Sequence, residues 1–169
     1  MALALRGPTA TSWWSRLRLY DDLPEAPNVQ FSELDLPPAR CVAVCDDDLP
    51  FIRFVERALV SEGASVAPVT TLDPEEAVRV IAQSGCDAAL IDLHMYNDDV
   101  AGITIARMLR ADPATEHMRL RLATGAAPRD LRGVEGDLVA LRCGLLPKPF
   151  TESELLVTLG LAEAASNAA

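Results

Sequence analysis

Between residues 40 and 165 the chain changes character at short, regular intervals, and this rhythm restricts what it can fold into. Apolar runs of strand length occupy 40–45 (RCVAVC), 64–69 (ASVAPV), 87–92 (DAALID), 119–124 (RLRLAT) and 143–148 (CGLLPK). Helix signals fill the gaps. Pro50 to Ser61 reads as a helix, with Gly63 shortly after its end. Asp73-Pro74-Glu75-Glu76 supplies an N-cap, a proline at the first helical position and acids in the first turn. Gly102 to Ala111 is a third helix, and Pro128 to Arg142 a fourth, weakened by Gly133 and Gly136. Thr151 and Glu154 have capping-box spacing and open a last helix along Leu155, Leu156 and Leu159. Five strand–helix units in succession predict an α/β fold, a doubly wound five-stranded parallel sheet with helices on both faces.

Residues 1–39 follow a different pattern. They carry both tryptophans, Trp13 and Trp14, in a stretch (12–23) that reads as a short helix capped by Ser12 and ended by Pro24. Trp13, Leu17 and Tyr20 share one face of it. DDLPEAPN and DLPPAR then read as linker. The expected organisation is an N-terminal extension over 1–39, a domain over 40–165 and a tail over 166–169. The net charge is −10 with no basic run, which argues against nucleic acid as a partner. No stretch approaches the ~20 apolar residues of a membrane span, and the start is too short for a secretory signal, so a cytoplasmic chain is expected. Cys41, Cys45, Cys86 and Cys143 show no metal-ligand spacing and read as free thiols, with Cys41 and Cys45 on one face of a strand.

In an open parallel sheet the ligand site lies at the carboxyl ends of the strands. The first predicted strand runs into Asp46-Asp47-Asp48, the third ends at Asp92, the fourth at Thr124-Gly125 and the fifth at Lys148. Adjacent strand ends are about 5 Å apart, so these groups should share one crevice. Lys148 is the only lysine in a chain that otherwise uses arginine. A compact ammonium suits contact with a single oxygen, where a guanidinium fork would grip two. Carboxylates held about 4 Å apart repel by about 4 kcal/mol per pair at an effective dielectric of ~20, so they protonate or bind a cation. An all-oxygen set suits magnesium. The chemistry that fits is phosphoryl transfer to a carboxylate, with Asp92 as nucleophile, Lys148 on a phosphoryl oxygen and the Thr124 hydroxyl donating to the transferred group.

These residues resemble the receiver domain of two-component response regulators, over about residues 40–165. AVCDDDLPFIRFVERALVSEG resembles the first strand, acidic pair and first helix. DAALIDLHM resembles the phosphoacceptor strand, LATG the switch strand, and LLPKPFTESELL the closing lysine motif. The resemblance implies the flavodoxin-like strand order 2-1-3-4-5. It implies a phosphoprotein, not a conventional enzyme, phosphorylated on Asp92 with Mg2+. Asp46, Asp47, Asp92 and the main-chain carbonyl of His94 would be the metal ligands, Asp46 mostly through water. Thr124 and Lys148 would complete the site, with a cis Lys148–Pro149 bond. The His94 side chain would face the site mouth, and the small Gly125 and Ala126 would leave it accessible. The implied partners are a sensor histidine kinase or phosphotransfer protein and a downstream protein, reached by docking or by phosphate relay.

The chain departs from the family pattern at Tyr96, in a lengthened loop 94–101 bearing Asp98 and Asp99, at Leu145 in place of an aromatic, and in the turn before the fifth strand. Few residues follow the last helix, so a stand-alone receiver is expected. The Trp13/Trp14 segment is expected to fold onto the receiver or a partner, and the leucine-rich last helix to offer a homodimer surface. Two alternatives stay open. One is a degenerate receiver acting as a binding module. The other is a haloacid-dehalogenase-like phosphatase, against which CDDDLP lacks the threonine such a nucleophile loop carries.

Overall fold

The structure is a computed structural model that describes residues 38–162, apart from 72, 96, 97, 99, 127–130 and 132. The Trp13/Trp14 helix, its linker and the 166–169 tail lie outside the described residues. Five strands, β1 (Cys41–Cys45), β2 (Ser65–Val69), β3 (Ala88–Asp92), β4 (Arg119–Thr124) and β5 (Cys143–Pro147), alternate with α1 (Leu49–Ser61), α2 (Pro74–Ser84), α3 (Ala101–Ala111), α4 (Glu135–Ala140) and α5 (Glu152–Thr158). The sheet is parallel in the order β2-β1-β3-β4-β5. No helix among the described residues is long and apolar enough to cross a membrane.

Side chains alternate across the pleat, so each strand feeds two cores. Ala43, Cys45, Ala89, Ile91, Leu120 and Leu122 pack with Ile81 of α2, Ile103 and Leu109 of α3 and Leu138 of α4. Val42, Val44, Leu90 and Leu146 pack on the other face with Ile52, Val55 and Leu59 of α1, Leu155 and Leu156 of α5, and Leu159 at the C-cap of α5. The last three leucines are therefore buried inside the chain itself. They do not form the exposed surface that the homodimer expectation relied on. Pro68 is tolerated in β2 because β2 is an edge strand.

The helix ends follow the local chemistry. Asp73 caps α2 by accepting from the Glu75 N–H, with proline in its first turn, and Thr151 and Glu154 form the capping box of α5. The fourth helix is shorter than the expected Pro128–Arg142. Gly133 has φ +109, which no right-handed helix contains, so the described helix begins only at Glu135. The turn into β5 is built on Arg142 at φ +50. Arg110 of α3 anchors it, donating to the carbonyls of Leu141 at 2.7 Å and Arg142 at 3.2 Å.

The free-thiol expectation holds for Cys45 and Cys143 and is corrected for the other two, because Cys41 and Cys86 form a disulfide. The cause is the topology. β1 and β3 are adjacent and parallel, with Val42 opposite Ala88, so the residues that precede them come together. A separation of 45 residues carries no such signal in the sequence.

Candidate functional site

The site is assembled by strand ends. Beyond β1 the chain turns sharply into α1, and Asp48 organises the turn. Its carboxylate accepts from the Phe51 N–H at 3.3 Å, while its own N–H donates to Asp46 Oδ1 at 2.8 Å. The Asp46 side chain is thus fixed by the cap that starts the helix. Asp92 ends β3, which runs beside β1 with Cys45 opposite Ile91, so Asp46 and Asp92 become neighbours. Behind Asp92, Gly102 of α3 lies tight against the strand end. A Cβ there would meet Leu93 Cα at 2.9 Å and the Asp92 carbonyl carbon at 3.1 Å. The Gly102 N–H donates to the Leu93 carbonyl at 3.1 Å.

Lys148 arrives from the far side of β4. Its N–H donates to the Thr124 carbonyl at 2.6 Å, continuing the β4–β5 ladder in which Thr124 faces Pro147. The Lys148–Pro149 bond is cis. From there the long stem carries Nζ across to Asp46 Oδ2 at 2.8 Å and Asp92 Oδ1 at 2.9 Å. Asp46 is 1% exposed and Asp92 8%. Asp46, Asp47 and Asp92 each offer a carboxylate oxygen within 4.8 Å of the others. Asp47 is exposed, on the solvent side of the cluster.

Burial leads in setting the ionisation here. It raises the Asp92 carboxyl above the usual carboxylate range, against the hydrogen bond and charge of Lys148, and the Asp46 charge adds to the rise. For Lys148 burial works the other way, but the hydrogen bonds and charges of Asp46 and Asp92 outweigh it and raise its pKa. Burial and the three carboxylates push the Cys45 thiol up to about 12, so it takes no part as a nucleophile. Thr124 is fully buried. Its Oγ1 accepts from the Ala126 N–H at 3.0 Å and lies 3.4 Å from Nδ1 of the half-buried His94. The hydroxyl is therefore positioned from two sides.

A hard divalent cation fits the donor set. Magnesium binds oxygen at about 2.1 Å, so two ligand oxygens lie at most about 4.2 Å apart across the ion. The carboxylates, within 4.8 Å, need close only slightly or reach the ion through water. Both Asp46 oxygens already accept hydrogen bonds, which suits a water-mediated role for that residue. The acids of the lengthened loop that are described do not join this carboxylate cluster. Asp98 turns to its own loop and accepts from the Val100 N–H at 2.9 Å, while Tyr96, Asn97 and Asp99 lie outside the described residues.

Asp46, Asp47, Asp92 and Lys148 thus meet in one place, with Thr124 and His94 paired nearby. Sequence reasoning missed Phe51, whose ring lies under the Lys148 ammonium with its centroid 3.9 Å from Nζ. Its signal was an aromatic in the first turn of the helix after the acidic cluster, together with Phe150 two residues past the lysine.

Structural comparison decides the fold. A chemotaxis protein, CheY4, from Vibrio cholerae superposes with TM-score 0.59 at 24% identity, over 71% of this chain and 95% of its own. A CheY-like response regulator receiver domain from Methylobacillus flagellatus gives 0.59 at 18%, over 73% and 98%. A sensor protein from Polaromonas sp. JS666 gives 0.59 at 22%, over 72% and 98%. The fold is that of response-regulator receiver domains. Nearly the whole of each of these chains is matched, against somewhat under three quarters of this one. At these identities the likeness speaks for the receiver fold alone. The sequence matches no family model and no curated protein.

Proposed function

We propose that residues 40–165 form a response-regulator receiver that accepts a phosphoryl group on Asp92. The observation that carries this reading is the Lys148 ammonium bridging Asp46 and Asp92 beside a third carboxylate, Asp47. An Asp92 oxygen attacks phosphorus, and the bond from phosphorus to the donor's leaving group breaks, its electron pair departing with that group. Asp47, Asp92 and the His94 main-chain carbonyl would hold magnesium, with Asp46 reaching it mostly through water, and the ion would supply positive charge to the phosphoryl oxygens. Lys148 transfers its hydrogen bond from the Asp92 carboxylate to a phosphoryl oxygen. Thr124 turns its hydroxyl toward the same group, and His94, already beside that hydroxyl, is placed to affect how long the acyl-phosphate lasts. The donor is a sensor histidine kinase or a phosphotransfer protein in the cytoplasm, and the output is docking to a protein partner or onward relay of phosphate.

A degenerate receiver is the second reading. Leu145 favours it, because a buried leucine replaces the aromatic expected to report the switch. Incubation with acetyl phosphate and magnesium separates the readings. Peptide mass mapping after acid quench is expected to find one labile phosphoryl group on Asp92, absent from Asp92→Asn. No modification would establish the binding module, and turnover of many phosphate esters would establish a phosphatase.

A further inference from the structure

The Lys148 ammonium has three N–H groups, and Asp46 and Asp92 engage two of them. The same nitrogen lies over Phe51, 3.9 Å from the ring centroid, well inside the ~6 Å over which a ring face attracts a cation. Phe51 is itself held in place. Its N–H is bound by Asp48, whose own N–H fixes Asp46, so the first turn of α1 places both a carboxylate and the ring. Phe150 meets the Phe51 ring edge to face, with centroids 5.8 Å apart and planes at 80°. Phe54 lies 6.2 Å from Phe150 and backs it from one turn further along α1. Phe150 belongs to the same Pro147–Phe150 segment that carries Lys148. One segment therefore delivers the cation and also the ring that braces its aromatic support.

We propose that Phe51 is a positioning residue for Lys148, its ring face holding the ammonium where it meets Asp46 and Asp92. The role rests on the phosphoacceptor reading above. The choice of group is chemically apt. The Lys148 side chain is 24% exposed on a flexible stem, so some neighbour must restrict it. A third carboxylate would restrict it but would also neutralise the charge meant for the phosphoryl group. A water would compete for the same N–H. An aromatic face attracts the cation without taking a proton or adding charge. It also keeps that attraction once Asp92 Oδ1 has lost its charge to the new bond with phosphorus.

The single lysine makes a direct test possible. Lysine labelled with 13C and 15N in the full chain gives one set of side-chain NMR signals. Protons beside the Lys148 nitrogen are expected upfield in the wild type and in Phe51→Tyr, and at ordinary lysine positions in Phe51→Leu. Acetyl phosphate with magnesium is expected to phosphorylate Phe51→Leu about three- to tenfold more slowly than the wild type, with Phe51→Tyr restoring the rate. Mono-, di- and trifluorophenylalanine at position 51 keep the shape and weaken the ring's negative face, so the rate should fall stepwise with fluorine count. A Lys148 signal identical in the wild type and Phe51→Leu, or a flat rate across the fluorinated series, overturns the proposal. A wild type that accepts no phosphoryl group overturns the acceptor reading and this role with it. A wild type phosphorylated no faster than Phe51→Leu overturns this role alone.

Discussion

Replacing Lys148 by methionine keeps most of the stem and removes the charge. It leaves Asp46 and Asp92, bound to Nζ at 2.8 and 2.9 Å, without their cation. Carboxylate oxygens within 4.8 Å then repel by about 3.5 kcal/mol per pair at an effective dielectric of ~20. The fold limits this by protonating one member, and Asp92, whose pKa burial already raises, is the group to take the proton. Breaking a buried ion pair typically costs about 3–5 kcal/mol. The ammonium is partly exposed, so solvent screening reduces that cost, and we expect a loss of about 2–3 kcal/mol at neutral pH without magnesium. Urea unfolding followed by far-ultraviolet circular dichroism measures it as a fall in midpoint at unchanged slope. The pH dependence fixes the sign. In the variant Asp92 has a folded pKa further above its unfolded value, so its destabilisation grows as pH rises through that window and vanishes below it. The gap to the wild type should therefore narrow on acidification. In the wild type Lys148 has a raised pKa, so its contribution is present below the ordinary lysine range and lost as pH climbs through the folded value. A variant as stable as the wild type at neutral pH, or a gap that widens toward acid, would refute the electrostatic account of the cluster.

Asp92→Asn removes a charge that burial disfavours, so without magnesium it should unfold later than the wild type in thermal melts. Magnesium should raise the unfolding midpoint of the wild type and do so much less for Asp92→Asn or Asp47→Ala, as read by thermal melts with and without a chelator. Gly102→Ala would press a methyl group into the backbone of Asp92 and Leu93, which has no side-chain freedom to yield. It should cost about 1–3 kcal/mol in urea unfolding and slow phosphoryl acceptance by shifting Asp92.

The strands were legible because each apolar run is short and bounded by turn or cap chemistry, and Arg119–Thr124 falls where its pattern ends. That Asp46, Asp47, Asp92 and Lys148 come together was legible for a related reason: topology gathers strand ends, so position in the sequence predicts place in the crevice. Cap chemistry also read true, with Asp73, Thr151 and Glu154 acting as their spacing implies. What could not be read depended on partners distant in sequence. Cys41 and Cys86 meet only because β1 and β3 are adjacent. Phe51 is a core-like aromatic until Lys148 lies over it. The leucines of α5 carry the same pattern whether they face a core or a second subunit, and only the packing against α1 distinguishes the two.

The placement of Lys148 also depends on residues that its own motif does not contain. The lysine segment is held on one side by the β4 ladder, through the Thr124 carbonyl. On the other side it leads into α5, a helix of 7 residues, too short to persist without external support. The capping box secures its first turn. Its last carbonyls are taken by two buried arginines on the face of β4 that α5 covers, where a parallel strand usually carries apolar side chains. Arg121 Nε donates to the Thr158 carbonyl at 2.8 Å, and Arg119 donates to the carbonyl of Leu159. Cations at a helix C-terminus favour both the orphan carbonyls and the negative end of the dipole. These buried guanidinium groups thus replace length as the source of stability for α5, and the short helix in turn fixes where the preceding Phe150 and Lys148 stand. The RLRLAT run therefore acts twice, with Thr124 ending it at the candidate site and its two arginines securing the helix that follows the site's only lysine.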